Sequence, residues 1–165
     1  MKAKSIKWKS TEEINAALND TMDGKFKPTL AIVFLSVKQD RETICKLLDE
    51  KGIQIFGATT AGEFIDGEIE KGSIVMMLLD MNPDHFKIEF LETSRQAALK
   101  DAKKLGIRGK ETFTNPAFII ATGGVSLDGE EIVEGIIQGV ETLASSTDRE
   151  VTIFGGKAGD DLVLE

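Results

Sequence analysis

Residues 55–64, IFGATTAGEF, and residues 153–161, IFGGKAGDD, are the two stretches that decide the fold of this 165-residue chain. In each, a β-branched residue and a phenylalanine precede a glycine, which is typical of a strand that ends there. Small and polar residues follow the glycine, as expected of a loop. We name residues 57–64 the first loop and residues 155–161 the second loop. Their likeness suggests that the chain contains an internal repeat.

The sequence upstream of both loops follows a common order. Apolar runs begin after Pro28 and after Pro116, and a helical pattern lies between each run and its loop. We therefore predict an α/β fold in which internally duplicated β-α-β-α-β units form a mixed, largely parallel sheet covered by helices. Repeat one spans about 4–85, and repeat two spans about 86–165 and is incomplete. Chance similarity between the halves is the alternative.

Local signals set several boundaries within these repeats. Ser10, Asp40 and Asp128 stand where N-cap residues are expected, just before helical patterns. Gly106 is predicted to end a helix that begins near residue 93. Residues 86–91 alternate between apolar and charged side chains, which predicts the first strand of repeat two.

Composition narrows the classes of function. The chain has 20 basic and 28 acidic residues, a net charge of −8, which argues against binding to a nucleic-acid backbone. Its apolar runs are too short to span a membrane, and its N-terminus has no apolar segment of signal-peptide length. The single cysteine suits a reducing compartment. We therefore expect a cytoplasmic protein that binds neither nucleic acid nor membrane.

Both loops have the chemistry to hold a small polar ligand. Each follows a strand, and ligands of α/β sheets bind at the carboxyl ends of strands. Glycine lets backbone amides approach an anion such as a carboxylate. Thr59 and Thr60 add hydroxyls, while Glu63, Asp160 and Asp161 offer negative charge to an ammonium group. Together these groups describe an amino-acid-like ligand; the alternative is that the loops are tight turns whose side chains cap the backbone.

Enzymatic groups are few. His85 is the only histidine and lies in a turn, and Cys45 is expected to pack as a small apolar residue in its helix. One histidine and one cysteine cannot form a usual zinc site within one chain, so we predict no metal, no cofactor and no catalytic residues. Gly135 and Gly139, one helical turn apart, predict close packing on the protein's own sheet or, alternatively, a homodimer contact.

The sequences of the two loops resemble the signatures of a known family. Residues 55–64, followed by Lys71-Gly-Ser-Ile-Val, resemble one signature of the FIST N-terminal domain, and residues 153–161 resemble the second. The resemblance implies an intracellular sensory domain of signal transduction that binds small ligands such as amino acids. By matching these signatures, the ligand-binding residues are expected to be Gly57, Thr59, Thr60, Gly62, Glu63, Gly155, Gly156, Gly159, Asp160 and Asp161.

The resemblance also implies partners. Domains of this family precede a FIST C-terminal domain or a signalling output domain, so we expect the natural protein to continue beyond residue 165 as a longer chain. Three functions remain open from the sequence. The first is a non-enzymatic sensor, the second is an enzyme that uses Thr59, Thr60 or Asp160, and the third is a structural interaction domain.

Overall fold

The computed structural model describes residues 1–22, 24–65, 67–123, 127–144 and 151–159. These residues form two compact units. The first contains Met1–Ile88 together with Gly159, and the second contains Glu89–Ala158. The described elements confirm a mixed α/β fold.

The first unit begins with three strands that alternate with two helices, followed by a short hairpin and a last long strand. In chain order they are β1 (Lys2–Trp8), α1 (Thr11–Thr21), β2 (Leu30–Leu35), α2 (Arg41–Glu50), β3 (Gln54–Thr59), β4 (Glu63–Ile65), β5 (Glu68–Glu70) and β6 (Ile74–Asp80). A 3-10 turn, Pro83–His85, follows β6. The elements of the second unit are α3 (Ala98–Thr112), β7 (Ala117–Thr122), α4 (Gly129–Leu143) and β8 (Thr152–Lys157).

The sheet of the first unit has the strand order β1-β6-β2-β3. β2 and β3 are parallel and are joined through α2, as parallel neighbours need a crossover connection. β6 is antiparallel to both β1 and β2 and lies between them. The expectation of a largely parallel sheet is therefore wrong for this unit, because the chain returns through the β4–β5 hairpin and inserts β6 in the opposite direction.

The predicted N-caps are confirmed. The Ser10 hydroxyl accepts a hydrogen bond from the Glu13 amide at 3.4 Å, and the Asp40 carboxylate accepts one from the Thr43 amide at 3.1 Å. Asp128 accepts one from the Glu130 amide at 2.9 Å. Each side chain thereby satisfies an amide that the first turn of a helix leaves without an intrahelical acceptor.

One face of the first sheet forms the core. Apolar residues of α1 and α2 pack there against alternate residues of β2 and β6, as the period of two in a strand requires. The buried residues of this core are Ile14, Leu18, Phe26, Ala31, Val33, Leu35, Ile44, Leu48, Ile53, Ile74, Met76 and Leu78. The intervening residues of β2 and β6 face the other side of the sheet, where the candidate site lies.

The second unit starts differently from the prediction. Residues 86–91 form no strand in the structure, so repeat two lacks the first strand that the alternating pattern predicted. α3 also continues through Gly106 to Thr112, so this glycine does not end the helix. Its missing side chain instead allows contact with α4, since a Cβ at Gly106 would collide with the carbonyl oxygen of Ile136.

Gly135 and Gly139 are explained by the same helix pair. A Cβ at Gly135 would lie 2.5 Å from the Leu99 carbonyl oxygen, and one at Gly139 would collide with that of Lys103. Both glycines are buried against α3. The close packing predicted for them is therefore present, but its partner is α3 and not the sheet.

The two parallel strand pairs have equivalent geometry. Gly57 is paired with Val33 and Gly155 with Ile120, and in both pairs a Cβ on the glycine would collide with the partner's carbonyl oxygen. The next backbone hydrogen bond recurs as well, from Thr60 to Leu35 at 2.9 Å and from Ala158 to Thr122 at 2.8 Å. This likeness covers β2-α2-β3 and β7-α4-β8, while duplication of the full β-α-β-α-β unit stays a prediction.

Candidate ligand-binding site

Glu63 is the centre of the first loop. Its side chain is buried, with 2 % of its surface exposed. The Thr60 hydroxyl donates to its Oε1 at 2.7 Å, while the amide and the hydroxyl of Ser73 both donate to its Oε2 at 3.0 Å. A carboxylate can be buried at a tolerable cost only when hydrogen bonds replace its lost water. We refer to Thr60, Glu63 and Ser73 as the carboxylate cluster.

Ser73 was not among the predicted site residues. It immediately precedes β6 and is fully buried. In the sequence analysis it was named only within the Lys71-Gly-Ser-Ile-Val stretch, although a small polar residue at the start of a buried strand is itself a signal. Such a residue needs a hydrogen-bond partner, and here the partner is the carboxylate ten residues earlier.

Gly159 brings a residue of the second loop to the first. Its amide donates to the Thr59 carbonyl at 2.8 Å. A Cβ on Gly159 would lie 2.8 Å from the Ala61 amide nitrogen, closer than side chains approach in proteins. Glycine is therefore required at position 159 for the chain to lie against residues 59–61.

A cavity of about 350 Å³ lies beside the carboxylate cluster in the first unit. Three of the predicted residues, Thr60, Gly62 and Glu63, line it. The remaining lining residues come from the sheet and from β4, and most are apolar: Ser5, Ile32, Phe34, Phe64, Ile65, Val75, Met76 and Met77. The volume is within the range of small-molecule pockets, about 300–1,000 Å³.

The other predicted residues that the structure describes do not line this cavity. Gly57 and Gly155 are in β3 and β8, where close strand packing explains the absence of a side chain. Gly156 is exposed, with open space where a side chain would stand. Thr59 ends β3 and contributes its carbonyl to Gly159. Asp160 and Asp161 lie outside the described residues.

Strand β4 of the β4–β5 hairpin forms one wall of the cavity. Phe64 lines the cavity, faces Ile69 across the hairpin, and is 76 % exposed. Glu68 of β5 forms an ion pair with Lys7 of β1. The hydrogen bond and the charge of Lys7 hold the pKa of Glu68 below its ordinary value. The hairpin is thus attached to the sheet both at this ion pair and through the buried Glu63.

Two further sequence predictions can be placed. His85 is exposed in its 3-10 turn, as predicted, but Cys45 is exposed on α2 and not packed in the core. The apolar face of α2 is provided by Ile44 and Leu48, and Cys45 follows Ile44 onto the outer side.

Within the described residues, no three His, Cys, Asp or Glu side chains are grouped as metal ligands. None of the helices described has the length and apolar character that crossing a membrane requires.

Comparison with known proteins gave one family. The FIST N domain model matches residues 29–165, which is most of the chain and includes both loops. The comparisons with curated proteins and with solved structures gave no match. The chain therefore belongs to the FIST N family, whose members are sensory domains in signal transduction.

Proposed function

We propose that this chain is a sensory domain that binds a small amino-acid-like ligand in the cavity beside the carboxylate cluster. One observation carries the proposal: Glu63 is a buried carboxylate that lines the cavity, and no Lys or Arg of the described residues forms an ion pair with it. A buried carboxylate without a counter-ion gains from a cation that reaches it. The ammonium group of a ligand is such a cation.

The hydrogen bonds of Glu63 leave room for this contact. An ionised carboxylate has about four lone-pair positions, and the three donors from Thr60 and Ser73 occupy three. Among the described residues, Oε2 receives two donors from Ser73, while Oε1 receives the Thr60 hydroxyl alone. An ammonium group in the cavity would donate to Oε1 and provide the missing positive charge.

The cluster also supports a second candidate function. The Thr60 hydroxyl lies 2.7 Å from a carboxylate oxygen, which is the spacing of a nucleophile and its general base. Ser73 restrains the same carboxylate, and a fixed base is what such chemistry requires. Turnover of the bound ligand would identify an enzyme, whereas unchanged ligand recovered after binding supports a sensor.

A thermal-shift screen of amino acids tests the proposal. A ligand present at about 1,000 times its Kd stabilises the native state by about 4 kcal/mol, which for a chain of this size raises Tm by about 8–16 °C. Each amino acid is compared with its deaminated acid, which lacks the ammonium group. Stabilisation by the amino acid alone supports the contact with Glu63, and equal stabilisation by both compounds contradicts it.

Thr60→Val provides the variant for this screen, because it removes a hydroxyl of the cluster with little change in shape. The Thr60 hydroxyl holds Oε1 of Glu63 in place, and without it the ligand must order the carboxylate on binding, so we expect ligand binding to weaken by about tenfold, or about 1.4 kcal/mol. Thr43→Val is the matched control, since Thr43 donates to an exposed carboxylate, that of Asp40, on α2. No shift with any amino acid in the wild-type chain would overturn the proposed function.

A further inference from the structure

We infer that the ligand is an amino acid or primary amine with an apolar body, and that a row of side chains on β2 and β6 selects it. This inference rests on the proposed function and narrows the class of ligand. The sequence predicted a polar ligand from the loops alone. The structure places the loop residues beside an apolar surface, so the ligand must have a polar group for the loop and an apolar part for this surface.

The apolar surface is contiguous across two strands. Ile32 is paired with Met77, and Phe34 with Val75, in the antiparallel register of β2 and β6. Side chains of directly paired residues lie on the same face of a sheet, within about 5.5 Å at Cβ. All four line the cavity. They therefore form one apolar floor, which we name the β2–β6 floor.

The four side chains of the β2–β6 floor carry no hydrogen-bonding nitrogen or oxygen atom. The polar lining residues are Thr60 and Glu63 of the carboxylate cluster and Ser5, which is exposed on β1 and paired with Met77 at the edge of the floor. A ligand side chain with an amide or carboxylate would lie on this floor without a hydrogen-bond partner among its four side chains. It would lose its hydration there and gain nothing in return.

The charge of Glu63 determines which group the ligand presents at the end that faces the carboxylate cluster. Glu63 is acidic, and the ion pairs of the described residues do not include it. An ammonium group is therefore favoured at this end, and an acidic side chain is disfavoured. The volume, about 350 Å³, suits one molecule of amino-acid size rather than a peptide or a protein segment. Leucine, isoleucine, methionine and phenylalanine have the required chemistry.

Isosteric pairs of amino acids test this inference. Leucine and asparagine have nearly the same shape, as do valine and threonine, so each pair differs only in polarity. We expect calorimetric titration to give leucine an affinity at least tenfold higher than asparagine. Valine should exceed threonine by up to about 100-fold, the limit for rejecting an added hydroxyl in an apolar pocket.

Two variants of the floor should reduce this discrimination. Val75→Thr places a hydroxyl on the β2–β6 floor with the shape retained, and we expect the leucine-to-asparagine ratio to fall by about tenfold. Val33→Thr is its matched control, because Val33 is on the same sheet but faces the core. Met77→Gln makes a similar change at a side chain that is 44 % exposed, so folding is preserved. Its control is Leu143→Gln at the end of α4, which is 46 % exposed.

The outcomes separate this inference from the proposed function. Binding of asparagine or aspartate equal to that of leucine would overturn the apolar selection and leave the sensor proposal intact. The same holds if Val75→Thr and Met77→Gln, shown to be folded by circular dichroism, keep the wild-type ratio. Failure of every amino acid to bind would overturn both proposals together.

Discussion

The amide of Gly159 donates to the carbonyl of Thr59 at 2.8 Å, which places a residue of the second loop directly on the first. The two residues are 100 positions apart in sequence, so this contact closes a long stretch of chain. It lies next to Thr60 and Ala61, and Thr60 itself lines the cavity. The geometry of the first loop therefore depends on residue 159 as well as on its own sequence.

Gly159→Ala is expected to destabilise the chain. The added Cβ would stand 2.8 Å from the backbone nitrogen of Ala61, and a backbone atom cannot rotate away as a side chain can. Overpacking of this kind costs about 1–3 kcal/mol. Urea denaturation followed by circular dichroism measures the loss.

Gly156→Ala is the matched control for this substitution. Gly156 is only three residues away but has open space around the position of a Cβ. Its replacement should leave the stability unchanged or raise it by about 0.4–1 kcal/mol, through the lower entropy of the unfolded chain. Equal effects of the two substitutions would show that residue 159 does not press on Ala61.

Much of the fold follows from local sequence signals. The caps at Ser10, Asp40 and Asp128 are predictable because each side chain bonds to an amide two or three residues away. The strands β2 and β7 are predictable because each is an apolar run that begins within two residues of a proline. These signals act over a few residues, which is the distance that a sequence pattern reports.

The features that the sequence analysis did not predict depend on contacts between residues that are far apart in sequence. The insertion of β6 between β1 and β2 requires pairs such as Ile6 with Met76, which no local pattern specifies. Gly106 has the usual sequence signal of a helix end, yet α4 packs against it and the helix continues. In the candidate site, the sequence analysis had named the loop residues Thr60, Gly62 and Glu63, which line the cavity, but not Ser73 or the apolar floor.

Glu63→Gln is expected to destabilise the chain strongly. The substitution replaces an acceptor of three hydrogen bonds by an amide whose NH₂ group would face the donors of Thr60 or Ser73. Loss of hydrogen bonds to a buried charged group costs about 1.5–3 kcal/mol each, so the total should exceed 2 kcal/mol. Thermal unfolding at pH 7 measures it.

Glu68→Gln is the control for the loss of a carboxylate in the same hairpin. Glu68 is exposed and its one described partner is Lys7, so the substitution should change Tm little at physiological salt. If Glu68→Gln lowered Tm as much as Glu63→Gln, the ion pair with β1, rather than the carboxylate cluster, would be the main attachment of the hairpin.

The cap of α2 should make stability depend on pH. The Thr43 hydroxyl and then the Thr43 amide, by hydrogen bonding, hold the pKa of Asp40 below its ordinary value. A carboxyl with a lowered pKa in the folded state adds stability above its unfolded pKa, and this contribution is lost as the pH falls through the folded pKa. Asp40→Ala should therefore destabilise the chain at pH 7, and its difference from wild type should shrink below about pH 4.

Asp40→Asn distinguishes the cap from the charge. Asparagine accepts the same hydrogen bond without titrating, so this variant should keep most of the stability at pH 7 and show a flatter pH dependence. Unfolding by urea at several pH values provides the comparison. A difference between Asp40→Ala and wild type that stays constant from pH 7 to pH 3 would contradict the assigned pKa direction.

The packing of α3 against α4 leads to the last prediction, Gly139→Ala. Alanine has a higher helix propensity than glycine by about 1 kcal/mol, so an exposed helical position would gain from this change. At Gly139, however, the Cβ would collide with the Lys103 carbonyl and lie 2.9 Å from the Gly106 Cα. Overpacking against backbone costs about 1–3 kcal/mol, which exceeds or at least cancels the gain.

Gly129→Ala separates the two effects, because it changes the same residue type in the same helix. Among the described residues, its Cβ would meet the flexible end of the Lys157 side chain, at 3.7 Å, which is an ordinary contact. We therefore expect Gly129→Ala to stabilise the chain while Gly139→Ala destabilises it, as measured by urea denaturation. Stabilisation by both substitutions would show that α3 and α4 do not approach as closely in solution, and that Gly139 is open to another partner such as a second copy of this chain.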